Sequence, residues 1–289
     1  MKLTGMWQTR AIAISFAVAA ALRGGSDVRA VAAVVDRYRI PIFAEVVVEK
    51  DIVFGKAVNA SGKEEVLHLD VYTPEGDTDR RRSAILFIHG GGFRPGQDKR
   101  QKYIVMMATE FARRGYVAVS PDYRVRANRD DDRIGTLRDA VEDCRGALAW
   151  MREHAAEQGI DRDRIAVGGG SAGGMIATSL VGLENAATAD RKTPGLFALV
   201  NLWGSPAADM RLCTLDAHYP PSIIIHGTAD TTVPFERSEQ FAADLEAAGV
   251  ERVLVPIPNA PHTPSKEMPE IVERAAVFVH DHLPAAASD

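Results

Sequence analysis

The sequence predicts an α/β protein: a mostly parallel central sheet with helices on both faces. Two observations carry this. Near-continuous apolar runs such as "SAILFIH" and "PSIIIHG" suit strands buried on both faces. They alternate with helix-length amphipathic segments, as right-handed crossovers between parallel strands require.

The elements follow in order. Lys2 and Arg10 precede the uncharged run "AIAISFAVAAAL", which has signal-peptide length and is too short to span a bilayer. Arg23 follows closely, and the alternative is a helix packed on the domain and continued by "DVRAVAAVVDRY". Residues 1–40 are expected to be such a signal-like or helical segment, and residues 41–289 one α/β domain. The protein is expected to be soluble, either cytoplasmic or exported. After Pro41, "AEVVVEKDIVF" and "EEVLHLDVYTP" are rich in β-branched residues, and the turn formers of "GKAVNASGK" predict an antiparallel pair. "SAILFIHGGG" is a buried strand that stops on glycines, and a helix over residues 99–114 leads to the strand "YVAVSPDYR". Leu137, Val141, Ala147, Leu148 and Met151 recur near a helical period, predicting one helix of about 20 residues ended by Gly159. "DRIAVGGG" is a short strand, with the helix "SAGGMIATSLVGL" after it. "LFALVNLWG" and "PSIIIHGTAD" are further buried strands. The helix "VPFERSEQFAADLEAAG", the strand "ERVLVPI" and the helix "EMPEIVERAAVFVHDHL" close the chain.

Composition narrows the function. With 289 residues, 46% hydrophobic and 25% charged, the chain can bury a core that needs no disulfide. A net charge of −5 gives no reason to expect nucleic-acid binding. Cys144 and Cys213 make no framework, and the histidines form neither HExxH nor a cysteine–histidine spacing, so no metal is expected. The "HDH" at residues 280–282 reads as exposed polar residues beside the last helix.

Chemistry points to "VGGGSAGG", residues 167–174, where glycines crowd a single hydroxyl. A strand, a tight turn and a helix in succession are the setting of a nucleophile elbow. Gly169 and Gly173 remove Cβ atoms where strand and helix come close, so Ser171 can occupy a strained turn at the helix N-terminus. A dinucleotide-binding reading of these glycines needs an early βαβ unit and an acid ending the next strand. Here the glycines come late, Glu184 belongs to the helix and Asp190 precedes the next strand. A serine needs a base, and the base needs an orienting acid. Asp230 follows one buried strand and His262 follows the last, and Pro261 and Pro264 stiffen the His262 loop. Asp209 and Asp216 come one strand too early and lack a tight turn, so they rank below Asp230. His226 reads as packing near the site, and His89 as a brace for its own loop. In "FIHGGGF" the backbone N–H groups of Gly91 and Gly92 can meet a substrate and, with Ala172, make three donors for a developing oxyanion. Each such donor stabilises a transition state by about 3 kcal/mol.

Taken together, "HGGGF" (89–93), "SPDYR" (120–124), "DRIAVGGGSAGG" (163–174), "HGTADTTVPF" (226–235) and "NAPH" (259–262) resemble one family. It is the HGGG carboxylesterases of the α/β-hydrolase superfamily, hormone-sensitive-lipase-like, with their small feruloyl-esterase-like bacterial relatives. The resemblance covers roughly residues 45–283. It implies an α/β-hydrolase fold and Ser171, Asp230 and His262 as catalytic triad. It also implies Gly91, Gly92 and Ala172 as oxyanion hole, an acyl-serine intermediate, a small-molecule ester substrate and no cofactor. Asp122 and Tyr123 would then support the loops around the site. Two departures stand out. The base follows proline in "APH", where relatives usually have glycine. Only the 16 residues Ser205–Pro220 separate two strands between which larger relatives insert a cap. The cap is therefore expected to be minimal and the pocket open, with Phe93 and Trp203 as apolar walls; core packing beneath the site is the alternative for Trp203. Short acyl chains are the expected substrates. Alternatives are a carbohydrate-linked acetyl or feruloyl esterase, a serine peptidase or amidase, and an inactive binding protein on this scaffold.

Overall fold

The computed structural model describes residues 37–126, 130–188 and 195–286. The signal-like run lies outside them.

Among the described residues, eight strands form one sheet: β1 (Val46–Val58), β2 (Glu64–Pro74), β3 (Arg82–Ile88), β4 (Val117–Pro121), β5 (Ile160–Gly170), β6 (Leu199–Leu202), β7 (Ser222–Gly227) and β8 (Arg252–Ile257). Their spatial order is β1-β2-β4-β3-β5-β6-β7-β8. β1 and β2 pair antiparallel, as does β2 with β4, and every other pairing is parallel. This is the α/β-hydrolase arrangement that the sequence predicts. Helices are α1 (Lys102–Arg113), α2 (Arg133–Glu153), the single turn α3 (Ala155–Gln158), α4 (Ala172–Thr188), α5 (Glu236–Ala247) and α6 (Met268–Asp281).

Alternation along the strands fills both layers. Ala84, Leu86 and Ile88 of β3 pack with residues of α2, α4 and α5, while Ile85 and Phe87 pack with α1 and α6. All seven β3 residues are buried, as the continuous apolar run requires.

The structure departs from the sequence reading most clearly in two places. β1 runs on through "GKAV" to Val58, with register shifts near Asp51, whose φ is 56°; the turn is confined to residues 59–63. There Asn59 Oδ1 accepts the N–H groups of Ser61 and Lys63, an Asx arrangement that closes the hairpin. The predicted single helix to Gly159 breaks at His154, and α3 ends on Gly159 in the left-handed region at φ 64°. At the other end, Asp132 caps α2 by accepting from the Gly135 N–H at 2.8 Å.

Parallel strands place their carboxyl ends along one edge. The loops after β3, β5, β6, β7 and β8 therefore open on the same side, and they carry the glycine loop, Ser171, Trp203, Asp230 and His262.

Candidate active site

Ser171 sits between β5 and α4 with φ 55°, a conformation that costs a non-glycine residue on the order of 1–2 kcal/mol. Its surroundings hold it there. The Ser171 N–H donates to Leu202 O at 2.9 Å, and its carbonyl accepts from the Met175 N–H at 3.2 Å. The two flanking glycines are forced by close approach. A Cβ on Gly173 would lie 2.0 Å from Ile88 O, and one on Gly169 would lie 2.3 Å from Gly173 O.

Asp230 and His262 converge on this hydroxyl. His262 Nε2 lies 2.9 Å from Ser171 Oγ, and His262 Nδ1 lies 2.7 Å from Asp230 Oδ2. With the Nδ1 proton donated to the carboxylate, Nε2 is left to accept the serine proton. The loops that carry acid and base are stitched together. Thr228 N–H donates to Ile257 O, Ala229 N–H to Ala260 O, and Asn259 N–H to Thr228 Oγ1, at 2.9–3.0 Å. Burial alone raises the Asp230 carboxyl. Hydrogen bonds from His262, the Val233 and Thr232 backbones and His226 outweigh it and hold the group below the usual carboxylate range. The carboxylate therefore stays ionised across the neutral range.

The glycine loop lies against this turn. His89 is buried, donates from Nδ1 to Gly90 O at 2.8 Å and stacks on Tyr123 at 4.3 Å. The Tyr123 hydroxyl is shared between His89 O and Gly90 O at 3.0 and 3.2 Å. Asp122 pairs with Lys99, whose own N–H it also accepts at 3.0 Å. These contacts brace the loop, as expected from "SPDYR". Gly91 and Gly92 have φ values of 109° and 62°, and Ala172 opens α4, where no intrahelical carbonyl is available to its N–H.

Two cavities of about 730 and 380 Å³ meet at Ser171, and both also touch Gly92 and Thr232. The larger is lined by Tyr103, Met106, Trp203, His262 and Met268, with Arg94 and Lys102. The smaller is lined by Phe93, Ala172, Met175, Met210 and Val233. Trp203 borders the cavity and is at the same time fully buried, its ring edge-on to Tyr103 at 5.4 Å. It thus combines the two alternatives, as cavity floor and as core. Phe93 is buried against Tyr123. Asp209 and Asp216 are exposed, and Asp216 bonds His218 instead. Segment 205–220 forms one 3-10 turn, Ala208–Met210, and irregular chain. Cys144 and Cys213 are free thiols. Among the described residues no cluster could hold a metal, and no helix is long and apolar enough to cross a membrane.

Sequence reasoning missed two residues. Tyr103 accepts from Gly90 N–H at 2.8 Å and donates to Gly170 O at 3.3 Å, tying the glycine loop to the serine turn. Nothing in the sequence signals this contact, which joins positions 67 residues apart. His226, read as packing, instead donates to Asp230 Oδ2 at 2.7 Å. Its position four residues before the acid, across a tight turn, was the available signal.

Comparison with known proteins shows the family. A family model described as BD-FAE matches residues 69–198, and one described as prolyl oligopeptidase family matches residues 204–285. Esterase 2 of Thermogutta terrifontis, in a form phosphoramylated by tabun, is 32% identical. The match covers 83% of this chain and 97% of that one, with a TM-score of 0.64. The chain belongs to the α/β-hydrolase esterases. Among curated esterases, LipC of Mycobacterium tuberculosis is 26% identical over 234 residues, which is 67% of this chain and 56% of LipC. Bovine hormone-sensitive lipase is 30% identical over 174 residues, which is 59% of this chain and 22% of the lipase. The chain spans about half the length of the mycobacterial esterases it matches.

Two buried histidines of this α/β-hydrolase give a pH signature. Burial holds both His89 and His226 below the ordinary value of 6.5, against the pull of nearby hydrogen bonds and carboxylates. The unfolded chain takes up both protons as pH falls through about 6.5, while the folded protein resists. Their stabilisation is complete above that value and is lost progressively below it. Melting temperature is expected to be level down to about pH 7 and then to fall, with a shallower slope in His226→Gln. A melting temperature that rises between about pH 6.5 and 5.5 would refute this.

Proposed function

We propose that the protein is a serine carboxylesterase acting on short-chain esters through an acyl-serine intermediate. The observation that carries the reading is the relay from Ser171 Oγ to His262 Nε2 at 2.9 Å and from His262 Nδ1 to Asp230 at 2.7 Å. His262 takes the serine proton as Oγ attacks the ester carbonyl. The N–H groups of Gly91, Gly92 and Ala172 receive the oxyanion. His262 then protonates the departing alcohol, and later activates the water that releases the acid. Asp230 keeps the ring oriented and favours its charged form in the transition state.

Short acyl chains are favoured because the smaller lobe offers about 380 Å³ and the larger one opens past Met106, Arg94 and Lys102, which are exposed. A long chain would leave the cavity over these side chains and gain little further burial. Structures of the Thermogutta esterase with propionate and with butyrate bound support a small acid product.

The test is a rate profile over p-nitrophenyl esters of increasing acyl length, run beside feruloyl and acetyl-sugar esters and a p-nitroanilide, with fluorophosphonate labelling of the wild-type protein. The expected result is stoichiometric labelling and the highest kcat/KM at two to four acyl carbons (roughly the chain the smaller lobe can enclose). Faster turnover of chains beyond about ten carbons would reject the short-chain assignment, and absent labelling would reject the serine mechanism.

A further inference from the structure

Asp230 accepts more hydrogen bonds than the orientation of one imidazole requires. Its Oδ1 takes the N–H groups of Thr232 and Val233 at 2.7 and 3.0 Å. Its Oδ2 takes two imidazoles, Nδ1 of His262 and Nε2 of His226, each at 2.7 Å. An ionised carboxylate has no proton to give, so His226 Nε2 must carry one, which also reaches Val233 O at 3.0 Å. His226 Nδ1 lies 2.6 Å from Ser238 Oγ, and Ser238 Oγ lies 2.8 Å from Ser205 Oγ. With His226 neutral in its burial, Ser238 donates to Nδ1 and accepts from Ser205. The two acceptors at Nε2, the Asp230 carboxylate and Val233 O, fix the tautomer, and the serine hydroxyls accommodate it. The ring is fully buried and stands edge-on to Phe235 at 5.7 Å.

We propose that His226 is a positioning residue for the acid. It pins Asp230 Oδ2 in line with the His262 ring and takes part of the charge that this oxygen presents to the base. The inference rests on the reading of Ser171, Asp230 and His262 as the triad. Two donors on one oxygen divide its negative potential, so each is held less tightly than it would be alone. Without the second donor, Oδ2 binds the imidazolium more strongly, His262 keeps its proton to higher pH, and the carboxylate is freer to rotate. The titratable groups facing His226 are Asp230 and His262. Arg94 of the glycine loop and Lys102 of α1 line the cavity beside His262, and Ser238 and Phe235 complete the surroundings of His226 without charge.

The experiment is the pH profile of kcat/KM for p-nitrophenyl acetate in wild type, His226→Leu, His226→Asn and His226→Gln. Leucine removes the donor, asparagine is too short to reach Oδ2, and glutamine carries an N–H near the place of Nε2. In the leucine and asparagine variants the acid limb is expected to move to higher pH by about half a unit or more. Their kcat should fall by about tenfold or more with little change in KM, because His226 does not line the cavity. Glutamine should return the acid limb to its wild-type position. Melting temperature identifies variants that fold, and asparagine keeps the test available if leucine does not. Folded variants that lose rate with an unmoved acid limb would overturn the proposal and leave His226 a packing residue. A wild-type protein that neither labels nor turns over esters would instead overturn the triad reading on which the proposal stands.

Discussion

Replacing Ser171 with alanine is expected to slow p-nitrophenyl acetate hydrolysis about 10⁵-fold and to abolish fluorophosphonate labelling, with the fold unchanged. The size of the effect follows from the relay. Without Oγ, the proton that His262 would accept and the acyl group that would be carried have no atom to reside on. What remains is binding and whatever stabilisation the backbone donors give to attack by water. Stability should hardly move, because the substitution removes one hydrogen bond, to His262, from a partly exposed position. Alanine inherits the backbone at φ 55°, whereas glycine at the same position would be free of its cost. Ser171→Gly is therefore expected to melt higher than Ser171→Ala. Labelling of the alanine variant at the wild-type rate, or a rate loss below about tenfold, would remove Ser171 from the mechanism.

The largest effect on stability is expected from Gly173→Ala. The new methyl would meet Ile88 O at 2.0 Å and His89 O at 2.6 Å, both backbone atoms at the end of β3. No side chain can swing aside, so α4 must move away from the strand or the glycine loop must shift. The cost is put at about 3–5 kcal/mol, a large share of a typical domain's 5–15 kcal/mol. Residual folded protein should also lose activity, because the same displacement separates Ser171 from the loop of Gly91 and Gly92. Gly55→Ala is the control, since its methyl would meet nothing within 4 Å. Urea titration of the two variants measures the difference. A Gly173→Ala variant within about 1 kcal/mol of wild type would show that helix and strand do not cross as described.

The order of strands and helices was legible because burial on both faces imposes apolar runs, and because the crossovers are long enough to show a helical period. The convergence of Ser171, Asp230 and His262 was legible for a topological reason. In a parallel sheet, residues just past strand ends share an edge however far apart they lie in the chain. Features set by one or two contacts were not legible. The break at His154 has no glycine or proline to announce it, and β1 runs past the turn former Gly55 to Val58 because pairing with β2 outweighs it. Tyr103 looks like any aromatic residue in an amphipathic helix, yet its hydroxyl joins Gly90 to Gly170. His226 is buried near the site as the sequence suggests, but its hydrogen bond to Asp230 was not legible, because a sequence does not say which way a buried ring donates.

The stitching of the β7 and β8 loops has a consequence for how the protein fails under heat. Asp230 and His262 are tied through Thr228, Ala229, Asn259 and Ala260, so neither can drift away while the other holds its place. Partial melting that starts at the C-terminal edge should extinguish turnover abruptly, at one temperature for acid and base alike. The serine turn, held by the sheet's centre, should outlast them as an intact but unassisted hydroxyl.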